Sequence, residues 1–452
     1  MKILLLRLAK ALAILLTSIA LLYAVEDFRG ARAWQAERLR LEAEGEELSW
    51  ARLMPRTQGG DARAPDLVDW RSPDFLAVQG FKREFVGRGV AGGGLINLGQ
   101  WRLLLMQPST PPAETACEAG ASFLKAIAPL EPTIARLVEA ARRGPVARWS
   151  VEISGPPAST RLPPLLPIRR LANVLRLRIA AHFACGYSDR AIDEMRVIAR
   201  LGESLQGLPF LITYLIQVAV EDVLLDTIQD GLTRGGLNAS QRREVESLLV
   251  DDWFEGARNG LRAERNWLIF YAESGPVSSA RDSRAATLGL SLLPRGWLLR
   301  QAIHSARFTE EANRLLDNSA RVDPAAIDAL TKRDQGVGGT TPYNFIARMA
   351  EPSVGRLAKS AVAVQTRVRL VRMALALFSY RESSGSFPTD LTSLTPAPWK
   401  TLPREVVNDD PLRYRLSKGG FVLYSVGWDL KDDGGVPGVS FEPDWVLAIG
   451  EP

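Results

Sequence analysis

The first apolar run in the chain has no helical face. Ala11 to Val25 is apolar apart from Thr17 and Ser18, and Ile3 to Leu6 extends it if Arg7 and Lys10 reach toward lipid headgroups. Ile3 to Val25 therefore supplies the roughly 20 residues that a membrane-spanning helix needs. Lys2, Arg7 and Lys10 favour an inside N-terminus, although Arg29, Arg32, Arg38 and Arg40 follow the run and blunt that argument. A cleaved signal peptide is the rival. Ser18-Ile19-Ala20 fits the small-x-small rule but would leave Leu21-Leu22-Tyr23 at the new terminus, and Leu22-Tyr23-Ala24 places a large residue where a small one belongs. An uncleaved anchor is the expectation.

Beyond the anchor the period becomes helical. Phe28 to Leu53 predicts a charged helix with Trp34, Leu41 and Leu48 on one side, ended by Pro55. Thr57 to Pro65 is a polar linker, and Asp66 to Pro108 is irregular and glycine-rich. Ala113 to Arg148 is helical in pattern. In Pro164 to Leu205, Ile168, Leu171, Leu175 and Ile179 mark one helix face, and Ile192, Met195, Ile198 and Leu205 another. Between them, Gly186-Tyr-Ser-Asp-Arg-Ala191-Ile192 resembles the inter-helix turn of a tetratricopeptide repeat. No second unit follows at about 34 residues, so a single TPR-like hairpin is expected. Leu208 to Leu225 is too short and too polar to cross a bilayer and predicts a core helix. Ser240 is placed to cap a helix from Gln241 to about Ala272, Ser274 to Thr287 is a small-residue linker, and helical character resumes from Leu288 to Leu316 around Pro294.

The last quarter begins with a sustained seam of Leu357, Ala361, Val364, Val368, Val371, Leu375 and Phe378. Arg356, Lys359, Arg367, Arg369 and Arg372 lie off it, which predicts one packed and one solvated side. Ser383-Ser384-Gly385 stops that helix. Leu412 to Leu416 and Phe421 to Val426 read as strands joined by a turn at Ser417 to Gly420. The fold expected is mainly α: an N-terminal transmembrane helix, an irregular helical-hairpin body, and a small C-terminal α+β module with a three-stranded antiparallel sheet. The regions are 1–27 for the anchor, 28–110 for the juxtamembrane helix and irregular segment, 111–342 for the helical domain, and 343–452 for the terminal module.

Composition alters little. The 452 residues are 46% hydrophobic and 24% charged, and the net charge of +5 is spread among acidic residues, so nucleic-acid binding has no support. Gly87-Arg-Gly89-Val-Ala-Gly92 matches a dinucleotide fingerprint in letters only, since no helix opens after it, and Lys332 to Pro342 lacks the Gly-Lys-Ser/Thr of a phosphate loop, so no nucleotide is expected. Ser122-Phe-Leu-Lys125 lacks the companion strings of penicillin-interacting enzymes. His182 and His304, the two histidines of the chain, read as structural or surface residues. Cys117 and Cys185 can pair if exported, but two buried, unpaired small side chains are the favoured reading. Glu221, Asp222 and Asp226 are expected to pair with Arg258, Arg262 or Arg265 on the following helix.

Tyr380, Gly385, Phe387-Pro388-Thr389, Asp410-Pro411, Tyr414, Ser425, Gly427 and Asp429 stand in an order that resembles the soluble part of the major pseudopilins of type II secretion. The rest more loosely resembles bacterial membrane-anchored proteins that carry such a tail. The first resemblance implies a calcium ion in the loop Gly427 to Gly435, with Asp429, Asp432 and Asp433 as ligands and Glu442 and Asp444 as further oxygens, a donor set that suits calcium. The chain departs from pseudopilins at its N-terminus, which has no prepilin leader, so a filament subunit is not expected. The function expected is a membrane-anchored, periplasmic interaction or scaffold protein of the bacterial inner membrane, with a protein partner in the envelope and a secretion or pilus-like apparatus as one candidate. The alternative is an envelope hydrolase using acidic residues of the helical body, such as Glu221 and Glu264.

Overall fold

A computed structural model describes residues 2–53, 115–143, 162–275, 291–317, 321–335, 340–350, 354–395, 400–436 and 444–451, with the single residues 96, 149 and 160. The Gly87 to Gly92 string, the 57–65 linker, nearly all of 66–108 and of the 274–287 linker, part of the 332–342 loop, and Glu442 lie outside them. The protein is mainly helical, with a long apolar helix at its N-terminus and a small two-stranded antiparallel sheet near its C-terminus.

Helix α1 is continuous over Lys2–Ala43. It is long and apolar enough to cross a membrane, and none of its apolar window is buried. From Glu26 onward one stripe becomes buried: Glu26, Gly30, Trp34, Glu37 and Leu41 follow one another at steps of four and three. The helix was expected to reach Leu53. It ends ten residues earlier because Gly45 donates to the Glu42 carbonyl and Glu46 to the Leu41 carbonyl, closing the helix in a Schellman pattern. A short α2, Trp50–Leu53, follows.

The body is built from antiparallel hairpins. Helices α3 (Ala116–Ala126) and α4 (Glu131–Arg143) flank the pair α5 (Leu165–Ala184) and α6 (Ser188–Leu205). Every residue predicted for the two faces of that pair is buried, with Ala191 fully so at the bend. Helix α7 (Leu211–Thr233) packs on both and is the core helix expected from its composition. The predicted helix after Ser240 is two helices, α8 (Ala239–Glu246) and α9 (Phe254–Ser274). Asn238, not Ser240, caps the first through a reciprocal bond with Gln241. Helices α10 (Arg295–Leu315), α11 (Pro324–Gln335) and α12 (Phe345–Ala350) lead to α13 (Val354–Ser384).

Helix α13 corrects the expectation of a two-sided helix. Its predicted seam is buried, but so are Val354, Ala358, Val362, Leu370, Met373, Ala374 and Leu377 on other sides. It packs against α7, α8, α9, α11 and both strands. One hydrophobic core consequently runs from Ala119 in α3 to Ile449 in the sheet. The seam therefore packs within the chain.

Strand β1 (Arg413–Ser425) pairs with β2 (Trp445–Glu451). The turn expected at Ser417 to Gly420 is instead an irregularity inside β1, where the register jumps from Lys418↔Glu451 to Phe421↔Ile449. Gly420 is required there, because a Cβ would fall 1.9 Å from the Ile449 carbonyl oxygen. The strand bulges where a reversal was expected, and the expected three-stranded sheet is two-stranded among the described residues.

Cys117 and Cys185 form a disulfide between α3 and the end of α5, against the favoured unpaired reading. The helices approach closely enough for this, since a Cβ on Gly120 would lie 3.1 Å from the Ala181 Cα. The bridge closes a separation of 68 residues. Loop-closure entropy alone then assigns it about 4 kcal/mol. Cys117→Ala/Cys185→Ala should lower the thermal midpoint and abolish its sensitivity to reductant; an unchanged midpoint contradicts this.

Candidate functional site: the core carboxylates and the acid-rich loop

The acidic residues of α7 meet arginines, but not those expected. Arg367 of α13 donates to Asp222 at 2.6 Å and to Asp226 at 2.5 Å, and Arg176 of α5 reaches the other oxygen of Asp226 at 2.9 Å. Arg372, one turn further along α13, pairs with Asp251 at 2.5 Å. The arginines named from sequence are engaged elsewhere. Arg265 and Arg262 face Glu46 after α1, and Arg258 donates to the Leu316 carbonyl at 2.7 Å. Sequence proximity misled because α9 turns its arginines toward α1 and α10, whereas α13 crosses α7 directly. Arg367 is one of five cations, with Arg356, Lys359, Arg369 and Arg372, that the sequence places off the apolar seam of α13, and nothing in its spacing marks it as the partner of α7.

Glu221 lies beside this cluster without joining it. It is buried, its Oε1 has no hydrogen-bond partner, and burial together with the Asp222 charge pushes its carboxyl up to about 8. Glu264 is raised to about 7 by burial. The structure does not make these two a coupled pair: Asp222 is the acidic neighbour acting on Glu221, and burial alone acts on Glu264. His182 is structural. Its Nε2 lies 3.2 Å from Glu194 Oε1, which also accepts two bonds from Arg178 in the interior of the α5–α6 pair.

The acid-rich loop is fastened by protein donors. Asp432 accepts from Arg413 Nε at 2.7 Å, the Gly434 amide at 2.9 Å and the Tyr424 hydroxyl at 3.2 Å. The Gly434 amide, with Arg413 and Tyr424, holds its carboxyl below the usual range. Arg413 also bonds Glu405, which accepts the Val426 amide at 3.2 Å. Asp429 accepts its own loop amide, from Lys431, at 3.1 Å. Asp433 is exposed, and its amide points to buried Asp444, which also takes the Gly435 amide at 2.8 Å. Among the described residues no group of three or more metal-ligating side chains is gathered. The arrangement ties the loop across β1.

The other aromatic positions of the tail have packing roles. Phe387 meets Phe421 edge-on at 5.0 Å and Phe378 at 5.4 Å, while Tyr414 donates to the Pro388 carbonyl at 2.8 Å. Trp428 donates to Asp328 of α11 at 3.2 Å, which joins the loop to the body.

An open cavity of about 540 Å³ is lined by Arg300, His304, Arg307, Arg333, Tyr343 and Arg348. Several of its charges are engaged: Arg307 with Glu37, Arg333 with Glu311, and Arg300 over the Tyr343 ring at 4.6 Å.

No family model, curated protein or solved structure matches this chain.

The titration of Glu221 has a sign that can be measured. Its carboxyl holds a proton up to about 8 when folded, against an ordinary value of 4.5. The folded state binds the extra proton, so stability is full below the lower value and is lost as pH rises through the upper one. Glu221→Gln removes this slope. Urea unfolding should show the wild type losing stability relative to the variant between pH 5 and about 8; parallel pH profiles refute the assignment.

Proposed function

We propose that this chain is a membrane-anchored interaction protein of the bacterial cell envelope. In this reading α1 crosses the inner membrane, and the helical body and tail stand on the periplasmic side as one rigid surface for a protein partner. A secretion or pilus-like apparatus is the partner class that the tail's resemblance favours.

The observation that carries the reading is the division of α1. Its first half is apolar and has no buried residue in the apolar window, while its second half is clasped by the body. The disulfide supports placement on the oxidising side of the membrane. The tail also keeps Leu416, Leu430 and Val436 exposed around β1 and the acid-rich loop, a location suited to docking. The hydrolase reading asks for unpaired carboxylates sharing one cavity; Asp222 and Asp226 face Arg367, and burial with no neighbouring carboxylate acts on Glu264, which leaves Glu221 without an acidic partner of that kind.

Removing the tail from Leu357 is a poor test, because it deletes the core helix along with the surface. A photocrosslinking residue placed at Leu430 or Val436 in the intact, membrane-embedded chain leaves the core in place. One defined envelope protein should be captured from these positions and not from Leu166, which is exposed on α5. Equal or absent capture from all three overturns the docking role.

A further inference from the structure

We propose that the segment leading into α10, from Leu292 to Trp297, is a second membrane contact, seated on the lipid surface beside the point where α1 leaves the bilayer. This rests on the reading of α1 as a spanning helix, and it adds how the body is oriented on the membrane.

Helices α1 and α10 run parallel and in step. Glu26 accepts the Trp297 indole N–H at 3.0 Å, the Asp27 carboxylate accepts the Gly296 amide at 2.8 Å, Glu37 pairs with Arg307 at 2.9 Å, and Arg40 with Glu310 at 2.8 Å. The backbones touch at the first of these levels. A Cβ on Gly296 would lie 1.9 Å from the Glu26 carbonyl oxygen, and one on Gly30 would lie 2.3 Å from the Gly296 Cα. The depth of α10 relative to α1 is thereby fixed.

One contact lies deeper. The Tyr23 hydroxyl donates to the Leu292 carbonyl at 2.5 Å. The apolar run ends at Val25, so at about 1.5 Å per residue the Tyr23 backbone lies about 3 Å inside it, and its hydroxyl ties Leu292 to that end of the run. Leu292 is nevertheless 65% exposed, and Phe28 on α1 is 68% exposed. An apolar side chain at that depth faces lipid, not water.

The polar groups nearby sort in the same sense. Tyr23 and Trp297 place amphipathic rings where aromatic residues concentrate at a bilayer interface. The carboxylates at this level, Glu26 and Asp27, are turned inward onto Trp297 and Gly296. Arg29, Arg32 and Arg295 are exposed just beyond the apolar run, where headgroup phosphates would lie, with Arg29 at 3.8 Å from Glu26 and Arg295 donating to the Glu273 carbonyl at 2.8 Å. A bilayer presenting anionic phosphates over an apolar interior matches that order.

The test uses the full chain in vesicles of phosphatidylcholine and phosphatidylglycerol, with the native disulfide intact. An environment-sensitive fluorophore is attached to Leu292→Cys, to Leu15→Cys inside the span, or to Tyr187→Cys in the exposed α5–α6 turn. The expected result at position 292 is blue-shifted emission, quenching by lipids with a nitroxide near the top of the acyl chain, and a several-fold lower iodide quenching constant than at 187. If position 292 behaves like 187 while position 15 is quenched by lipid, the anchor stands and the second contact is overturned. If position 15 is also open to iodide, the spanning reading falls and the proposal falls with it.

Discussion

The burial of α13 on almost every side is the constraint from which the rest of the fold follows. A helix surrounded by protein needs partners all round, and here they come from both directions of the chain: α7, α8, α9 and α11 from the body, β1 and β2 from the tail. Burying arginines on such a helix costs free energy unless they are paired. Half-buried Arg367 meets that requirement with Asp222 and Asp226, while half-buried Arg372 reaches the exposed Asp251. The tail is therefore not an appendage carried by the body. Its sheet closes one side of the same core, and Gln229 of α7 reaches the Ala448 carbonyl of β2.

A second constraint sets the relation of this core to the apolar half of α1. The helix that bears the apolar run continues into the body and is held by parallel packing on α10. Glycines at the contact bring the backbones together, and the Glu37–Arg307 and Arg40–Glu310 pairs hold them in register beyond it. On the proposed reading of α1 as a spanning helix, orientation relative to the membrane follows from the fold. That is useful for a protein whose proposed task is to present one surface to a fixed assembly.

The parts legible in the sequence are the apolar seams that recur at helical spacing. Ile168, Leu171, Leu175 and Ile179 announce themselves by period, as do Leu357, Val364, Val371 and Phe378, and all are buried. What periodicity cannot give is burial on the remaining sides. Ala358, Ala374 and Gly355 are small residues whose packing depends on neighbours distant in sequence. Arg367 and Arg372 read as solvent-facing until their partners are placed opposite them. Ser417 to Gly420 has turn residues, but the Ile449 carbonyl decides that they form a bulge. The disulfide was equally hidden, since two cysteines far apart carry no spacing that commits them. At the acid-rich loop the sequence displays the carboxylates and glycines; the engagement of Asp432 with Arg413, Tyr424 and the Gly434 amide depends on the sheet, which a sequence does not display.

The central claim is that body and tail share one core around α13. Native-state hydrogen exchange across denaturant concentrations tests it most directly, because it reports which segments open together. If the claim holds, the slow amides of α7, α13 and β2 converge on one opening free energy and one denaturant dependence. If β1 and β2 exchange through a separate, smaller opening while α7 and α13 stay protected, the tail is an independent module and the account is wrong.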